Sequence, residues 1–291
     1  GELIEVQNGQ YKRSKLINFK FNKFNSKDSA SDIIKYKFSK QFMSDVPVAL
    51  SLSGGIDSNV ILQELLKDKG NKFTNYSVNY KGSLKYGEDH KIAKKISEYY
   101  GVKFNSVEVN YNDFKDTAEK IVEIVEEPTG NTNSISNYIL SQNISEKVLF
   151  SGDGGDEVFT GYDKYKSIYK ICLLGKINFL KILNLNFKNK NLNKFFIKNS
   201  RDLFLSFSEQ NLFKSSHKVY NDFKFIQKNE LDDILNHTCD LNNNLNLSNV
   251  MYHDLDTWVP NDILLRNDKI YANKAIEVRV PFLDKDIIEN F

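Results

Sequence analysis

The chain has 291 residues, with 40 basic against 38 acidic side chains for a formal net charge of +2, and is 40% hydrophobic and 27% charged. That length can bury a large core in one big domain or two, and the composition is that of an ordinary soluble globular protein. The near-balance of charge gives no electrostatic case for a nucleic-acid or membrane partner. Cys172 and Cys239 lie far apart, with no C-x-x-C spacing. They indicate neither a disulfide framework nor a zinc site, and reduced thiols in a cytoplasmic protein are expected. No apolar run approaches membrane-spanning length, and no signal peptide is visible. The chain opens on Gly1 rather than methionine, as expected of a piece of a longer protein.

Residues 1–30 form a polar opening segment. Leu3-Ile4-Glu5-Val6 and Leu16-Ile17-Asn18-Phe19 read as two short strands around the turn residues Asn8-Gly9. A helix is expected over 31–43, with Ile33, Ile34, Tyr36, Phe38 and Phe42 as its apolar residues. Val46-Pro47-Val48-Ala49-Leu50-Ser51 then reads as a buried strand. It breaks at Gly54-Gly55 and restarts as a helix at Asp57, whose apolar residues Val60, Ile61, Leu62, Leu65 and Leu66 form a broad packing face.

A strand, a glycine turn and a helix start make an anion site. Glycines let a ligand approach the backbone, and the first N–H groups of a helix have no internal partner. Ser53 and Ser58 add hydroxyls. This is not the common G-x-x-x-x-G-K-S/T loop, because no lysine follows the glycines. Asp57 sits where phosphates would go, so a divalent cation must mediate, and Mg²⁺ with oxygen ligands fits. Read in isolation, Ser-Gly-Gly is also a tight turn with Asp57 and Ser58 capping the helix. The whole run Ser53-Gly54-Gly55-Ile56-Asp57-Ser58 resembles the pyrophosphate loop of ATP pyrophosphatases.

Strands are expected at 73–79, 104–109 and 148–150, and helices at 88–100 (Ile92, Ala93, Ile96 and Tyr99 at helical spacing), 112–125 and 135–144. Such alternation implies a parallel sheet, whose ligands lie at the carboxyl ends of the strands. The last strand runs straight into Ser151-Gly152-Asp153-Gly154-Gly155-Asp156-Glu157. Three carboxylates so close repel one another unless a cation or a cationic substrate group sits among them. A Mg²⁺ shared by Asp57 and Asp156 across the strand ends resolves the conflict at both loops; a surface acidic turn is the plain alternative. Residues 158–250 lose the strand rhythm, with helices expected at 165–174, 179–183 and 222–235 between Asn-Lys runs that carry no chemical signal. Near the end, Glu277-Val278-Arg279 looks extended, and alone its charges read as an ordinary surface pair.

Taken together, Ser-Gly-Gly-Ile-Asp-Ser at 53–58, Ser-Gly-Asp-Gly-Gly-Asp-Glu at 151–157 followed by Phe159, Gly161 and Tyr162, and Glu-Val-Arg-Val-Pro-Phe-Leu-Asp at 277–284 resemble the synthetase domain of glutamine-hydrolysing asparagine synthetases. The resemblance also takes in Glu127-Pro128 and Pro260-Asn261-Asp262-Ile263-Leu264. It runs from about residue 46 to the end and is weakest over 165–250. It implies an α/β fold, a parallel sheet with helices on both faces of the adenine nucleotide alpha hydrolase-like, PP-loop ATP pyrophosphatase type, plus a mainly helical C-terminal part. The domains implied are a linker and first helix at 1–45, an α/β core at 46–164 and the helical part at 165–291.

The resemblance further implies that ATP is a substrate and that the β-carboxylate of aspartate attacks its α-phosphorus. Pyrophosphate leaves, and ammonia displaces AMP to give asparagine. Position by position, Ser53, Gly54, Gly55, Asp57 and Ser58 would hold pyrophosphate, and Asp57 and Asp156 would hold Mg²⁺. Leu52, Val78, Ser151 and Gly152 would sit near the nucleotide. Asp153 would take a proton from attacking ammonia, and Glu127, Asp153 and Glu157 would meet the substrate, Glu157 its ammonium. The implied partners are aspartate or another carboxylate and ammonia from a glutaminase domain outside this chain. A homodimer is one allowed assembly, and neither nucleic acid nor membrane is expected.

The chain also departs from the family. Position 1 is Gly1 rather than a cysteine nucleophile, and the chain stops at Phe291, before a family segment carrying a lysine near the phosphates. Weak ATP binding and slow turnover are the expectation for this chain alone. Lys269 stands where arginine is usual, and Arg266 where lysine is common. Three other readings stay open. One is the same adenylate chemistry on another carboxylate, as in β-lactam synthetases or amide-forming enzymes of surface-polysaccharide or secondary metabolism. Another is a tRNA-modifying pyrophosphatase, which the charge balance disfavours. The last is a non-catalytic nucleotide-binding fragment.

Overall fold

The computed structural model describes residues 2–15, 30–81, 84–127, 131–175 and 247–290. The chain divides into two compact units, residues 1–158 with 265–291, and residues 159–264. The expected strand at 16–19 and the expected helices at 179–183 and 222–235 lie outside the described residues.

The first unit begins with a hairpin, β1 (Glu2–Gln7) antiparallel to β2 (Gln10–Lys15). Asn8 and Gly9 form its turn with φ of 52° and 76°. Two consecutive positive φ angles match the twist of the flanking strands, so pairing resumes directly after the turn. The partner of Leu3–Val6 is therefore 11–14, earlier in the chain than the sequence pattern suggested.

The sheet of this unit comprises β3 (Val48–Ser51), β4 (Thr74–Tyr80), β5 (Lys103–Val109), β6 (Val148–Phe150) and β7 (Glu277–Arg279). The spatial order is β5-β4-β3-β6-β7, and every neighbouring pair is parallel. The helices before and between these strands are α1 (Ala30–Gln41), α2 (Ile56–Lys69), α3 (Leu84–Tyr100), α4 (Tyr111–Val125) and α5 (Asn133–Asn143). After β6 come α6 (Gly155–Phe159) and α7 (Asp163–Gly175).

Strand alternation sends helices to both faces of the sheet. Asn75 donates its side-chain amide to Ser97 Oγ of α3 at 3.0 Å. Its neighbour Tyr76 points the other way, into a core with Ala49, Leu149 and Leu140 of α5. On the α3 side, Phe150 meets Phe42, just past α1, edge-on at 5.1 Å. The buried stripe of α3 is His90, Ala93 and Ser97, whereas Ile92 and Tyr99 are 43% and 82% exposed. The sequence spacing had pointed to the latter pair. The helix is rotated because Ser97 must reach Asn75, and a buried polar pair outweighs a partly covered apolar one.

Helix α4 starts on a reciprocal cap between Asn110 and Asp113 and ends at Glu126 in the left-handed region. The last stretch of the chain returns to the sheet. It follows α8 (Leu247–His253) of the other unit and forms α9 (Leu265–Ala272), then β7, a 3₁₀ turn (Pro281–Leu283) and α10 (Lys285–Asn290). Arg279 lies 22% exposed and donates to the carbonyls of Gln41 and Met43 at 2.7 and 2.6 Å, binding the end of α1. Phe282 packs on Phe38 at 5.0 Å, and Lys37 pairs with Asp284 and Asp286. The Glu277–Arg279 ion pair is present at 2.7 Å, and the arginine holds the scaffold as well.

The second unit, among its described residues, holds α7, α8 (Leu247–His253) and a π-helical run (Asp254–Leu264) that contains Pro260. The Lys164 ammonium is buried there, 3.0 Å from Asp254 and 4.4 Å from the Trp258 ring centre, and Tyr165 donates to Asp254 at 2.7 Å. Among the described residues no helix is long and apolar enough to cross a membrane.

Candidate functional site

The site residues picked out by sequence all belong to the first unit. Because β3 and β6 are adjacent and parallel, the loops that follow them leave the same edge side by side. In the first loop, Leu52 is fully buried and its N–H donates to Tyr76 O at 2.8 Å, which leaves only its main chain near the edge. Gly54 has a φ of 84°, and a Cβ there would lie 2.5 Å from the Asp89 carbonyl of α3. Only glycine serves at that point, since both the backbone angle and the contact exclude a side chain. Ser53 Oγ accepts from Gly55 N–H at 3.2 Å and lies 3.1 Å from Ser58 Oγ. Ser58 Oγ also donates to Gly55 O at 3.1 Å.

Gly55 is the N-cap of α2, and no side chain caps that helix. The capping role considered for Asp57 and Ser58 is therefore not taken up. The first N–H groups of the helix lie behind a serine-lined turn, the arrangement that receives a phosphate.

Asp57 instead leans across to the second loop. A Cβ on Gly155 would lie 2.4 Å from the Asp57 carboxyl carbon, and one on Gly152 would lie 3.2 Å from Asp57 Cβ. Glycine at 155 is thus what lets the two loops touch. Burial pushes the Asp57 carboxyl up to about 6, and the nearby Asp156 carboxylate adds to the rise. Asp156 is also raised by burial. Two half-buried carboxylates that resist ionising together form an oxygen donor pair suited to Mg²⁺, which keeps waters and substrate phosphates as its other ligands. Among the described residues no group of three or more His, Cys, Asp or Glu forms a self-contained metal cage.

The rest of the second loop is fastened to the scaffold. Ser151 N–H donates to Arg279 O at 2.9 Å, and Leu283 packs on Gly154. Ser151 Oγ donates to Asp153 Oδ2 at 2.8 Å. Burial raises the Asp153 carboxyl, with these hydrogen bonds and the Arg266 charge opposing. Glu157 is 1% exposed, in the first turn of α6. Val78 lies in the carboxyl half of β4, partly buried against the core. Glu127 is exposed just beyond the end of α4.

The polar groups that surround Asp153 left no signal in the sequence. Asn267 donates to Asp153 Oδ2 at 2.8 Å, and Asn137 of α5 donates to Asn267 Oδ1 at 2.7 Å. Tyr271 is buried nearby, its hydroxyl pushed up by burial, then by the Asp153 charge. Tyr80 shares a 2.7 Å hydrogen bond with Ser136. Lys269 donates to Val125 O and Glu126, both at 2.7 Å, and closes the end of α4. Amides scattered over separate helices follow no spacing rule that a sequence can display.

With this geometry in place, comparison with known proteins adds the following. The family model for asparagine synthase matches residues 32–291. The chain is 25% identical over 263 residues to the glutamine-hydrolyzing asparagine synthetase 1 of Bacillus subtilis, covering 84% of this chain and 40% of that protein. It is 30% identical over 137 residues to the glutamine-hydrolyzing asparagine synthetase 3 of Arabidopsis thaliana, covering 42% of this chain and 23% of that one. The chain thus spans less than half the length of these curated relatives. Among solved structures, the U34-tRNA thiolase NcsA from Methanococcus maripaludis matches 88% of this chain and 82% of its own, with a TM-score of 0.34 at 18% identity. That likeness is too slight to add to what the sheet itself displays.

Proposed function

This chain belongs to the asparagine synthase family, and from that premise we propose that it is the synthetase part of an ATP-dependent amide-forming ligase. It adenylates the β-carboxylate of aspartate, releases pyrophosphate, and transfers the acyl group to ammonia to give asparagine and AMP. The observation that carries this reading is the meeting of the two loops, with Asp57 against Gly155 and close to Asp156 at the carboxyl edge of the sheet. A phosphate cradle and a carboxylate pair in one place are what release of pyrophosphate from ATP requires.

In this proposal the N–H groups at the start of α2, with Ser53, Gly54, Gly55 and Ser58, hold the departing pyrophosphate. Leu52, Val78, Ser151 and Gly152 line the nucleotide. Asp57 and Asp156 would hold Mg²⁺, which when bound neutralises charge on the phosphates. Glu127 and Glu157 meet the amino-acid substrate. Asp153 accepts the proton that ammonia loses, a task favoured by a carboxyl raised toward neutrality. Glutamine hydrolysis, which the relatives' names carry, is the proposed ammonia source.

The test is ATP–pyrophosphate exchange on the intact protein, with aspartate beside a panel of other carboxylic acids. Exchange that needs aspartate supports asparagine synthesis. Exchange with a different acid keeps the adenylating ligase and replaces the substrate. No exchange with any acid rejects the ligase reading.

A further inference from the structure

Asp153 receives two hydrogen bonds, from Ser151 Oγ and from Asn267 Nδ2, both 2.8 Å and both on Oδ2. Among the described residues none is made to Oδ1. An ionised carboxylate only accepts, so Asn267 must turn its NH₂ toward Asp153 and its carbonyl away. That carbonyl is buried, and it takes the amide of Asn137 at 2.7 Å. The order Asn137 to Asn267 to Asp153 is therefore fixed by chemistry, because a flipped Asn267 would set two acceptors face to face at one end and two donors at the other.

Ser151 belongs to the same loop as Asp153. Asn267 and Asn137 stand on α9 and α5, so their hydrogen bonds tie the carboxylate to the helical scaffold. We propose that Asn267, oriented by Asn137, is a positioning residue for the amide-forming half of the reaction, pinning Asp153 Oδ2 so that Oδ1 receives the proton of the attacking ammonia. This rests on the ligase reading above. In the step, the ammonia nitrogen bonds to the acyl carbon. The carbon–oxygen bond to the adenylate breaks with its electron pair leaving on AMP, and one N–H proton passes to Oδ1. The other groups that face Asp153 are Arg266 and Tyr271 of α9, with Tyr80 of β4 behind Tyr271. Arg266 favours the ionised carboxylate, and Asn267 adds a directional donor to it.

The experiment compares both half-reactions in the intact protein for Asn267→Ala, Asn137→Ala, the double variant, and Asp153→Asn as the reference. Asn267→Ala is expected to keep pyrophosphate exchange within about twofold and to lower ammonia-dependent amide formation about 10- to 100-fold. The acidic limb of its pH profile moves up by about one unit, because the carboxylate has lost a donor. Asn137→Ala goes the same way by a smaller factor, and the double variant is no worse than Asn267→Ala. Asn137→Ala leaves Asn267 in place and serves if Asn267→Ala does not fold.

Equal loss in both half-reactions, an unmoved acidic limb, or additive single effects would overturn the proposal. A wild type that exchanges pyrophosphate with no acid rejects the ligase reading and the reaction step with it. A ¹³C titration of the Asp153 carboxyl, assigned by its loss in Asp153→Asn, then still decides the pinning. It must shift upward in Asn267→Ala, and a titration that stays put overturns the pinning.

Discussion

The loop after β6 and the stretch that begins at β7 are both rich in charge and touch each other through Leu283 and Gly154, yet they handle charge in opposite ways. From Glu277 to Asp284 the charges are met: Glu277 by Arg279, Arg279 by two main-chain carbonyls of the α1 end, and Asp284 by Lys37. At the strand edge burial raises both Asp57 and Asp156, the Asp156 charge adds to the rise at Asp57, and Asp153 is pushed up by burial although Arg266 stands near. Met charges hold a scaffold. Carboxylates held together without compensation cost stability, and they mark where a ligand supplies the missing charge.

The largest effects that sharpen this contrast lie at the edge. Asp57→Ala and Asp156→Ala should each lower ATP–pyrophosphate exchange by at least about 10³-fold, since each removes an oxygen ligand at the developing charge. Thermal unfolding in cation-free buffer should stay level or rise in both, because a repelling partner has gone. Full exchange in both variants would end the metal assignment, and a collapse of folding would end the claim that these groups do not hold the scaffold. At the other region the expectation reverses. Arg279→Ala should cost about 1.5–3 kcal/mol in urea unfolding, as the end of α1 loses donors from a charged group. Glu277→Ala removes only an exposed pair and should cost under about 1 kcal/mol. Neither should alter exchange per folded molecule, and a specific loss of exchange in Arg279→Ala would move that residue into the chemistry.

The difference between these regions was half legible in the sequence. The alternation of strands and helices, the two glycine loops and their common edge follow from hydrophobic runs and from the rule that ligands gather at strand carboxyl ends. The membership of Glu277–Arg279 in the sheet does not, since three residues leave no periodicity, and their partner β6 is distant in the chain. Arg279 does form the pair with Glu277 that its spacing suggests, but its further partners are main-chain carbonyls, which have no letter in a sequence. The same limit hid the closing of α4 by Lys269, whereas the Asn137–Asn267 relay was hidden because its two amides stand on separate helices far apart in the chain. In α3 the apolar spacing pointed to Ile92 and Tyr99, while a hydrogen bond between Ser97 and Asn75 set the rotation.

The smallest expected effect uses pH and a buried carboxylate outside the site. Burial pushes Glu146 up, but hydrogen bonds from Thr74, Tyr76, its own backbone and Ser145 outweigh it and hold the carboxyl below its ordinary range. Tyr76 donates to it at 2.8 Å and Ser145 at 3.1 Å. A depressed folded value means that the unfolded chain binds the proton first. The stabilisation is therefore present above the ordinary glutamate value and is lost as pH falls through the folded one. Glu146→Gln should cost about 1 kcal/mol near neutral pH, and the gap from wild type should close as the medium becomes acidic. His90 and His253, both lowered by burial, also lose stability toward acid, so the readout is the difference between wild type and variant rather than either curve. Asp57 has the opposite sign. Its folded value of about 6 lies above the ordinary 3.8, so in cation-free protein its contribution is full below 3.8 and disappears as pH rises through about 6. A wild type minus Asp57→Asn difference that slopes this way without Mg²⁺, and flattens when it is added, would place the two kinds of carboxylate on opposite sides of one titration. A shared slope would mean that the edge carboxylates are as well met as Glu146, and the contrast between site and scaffold would fail.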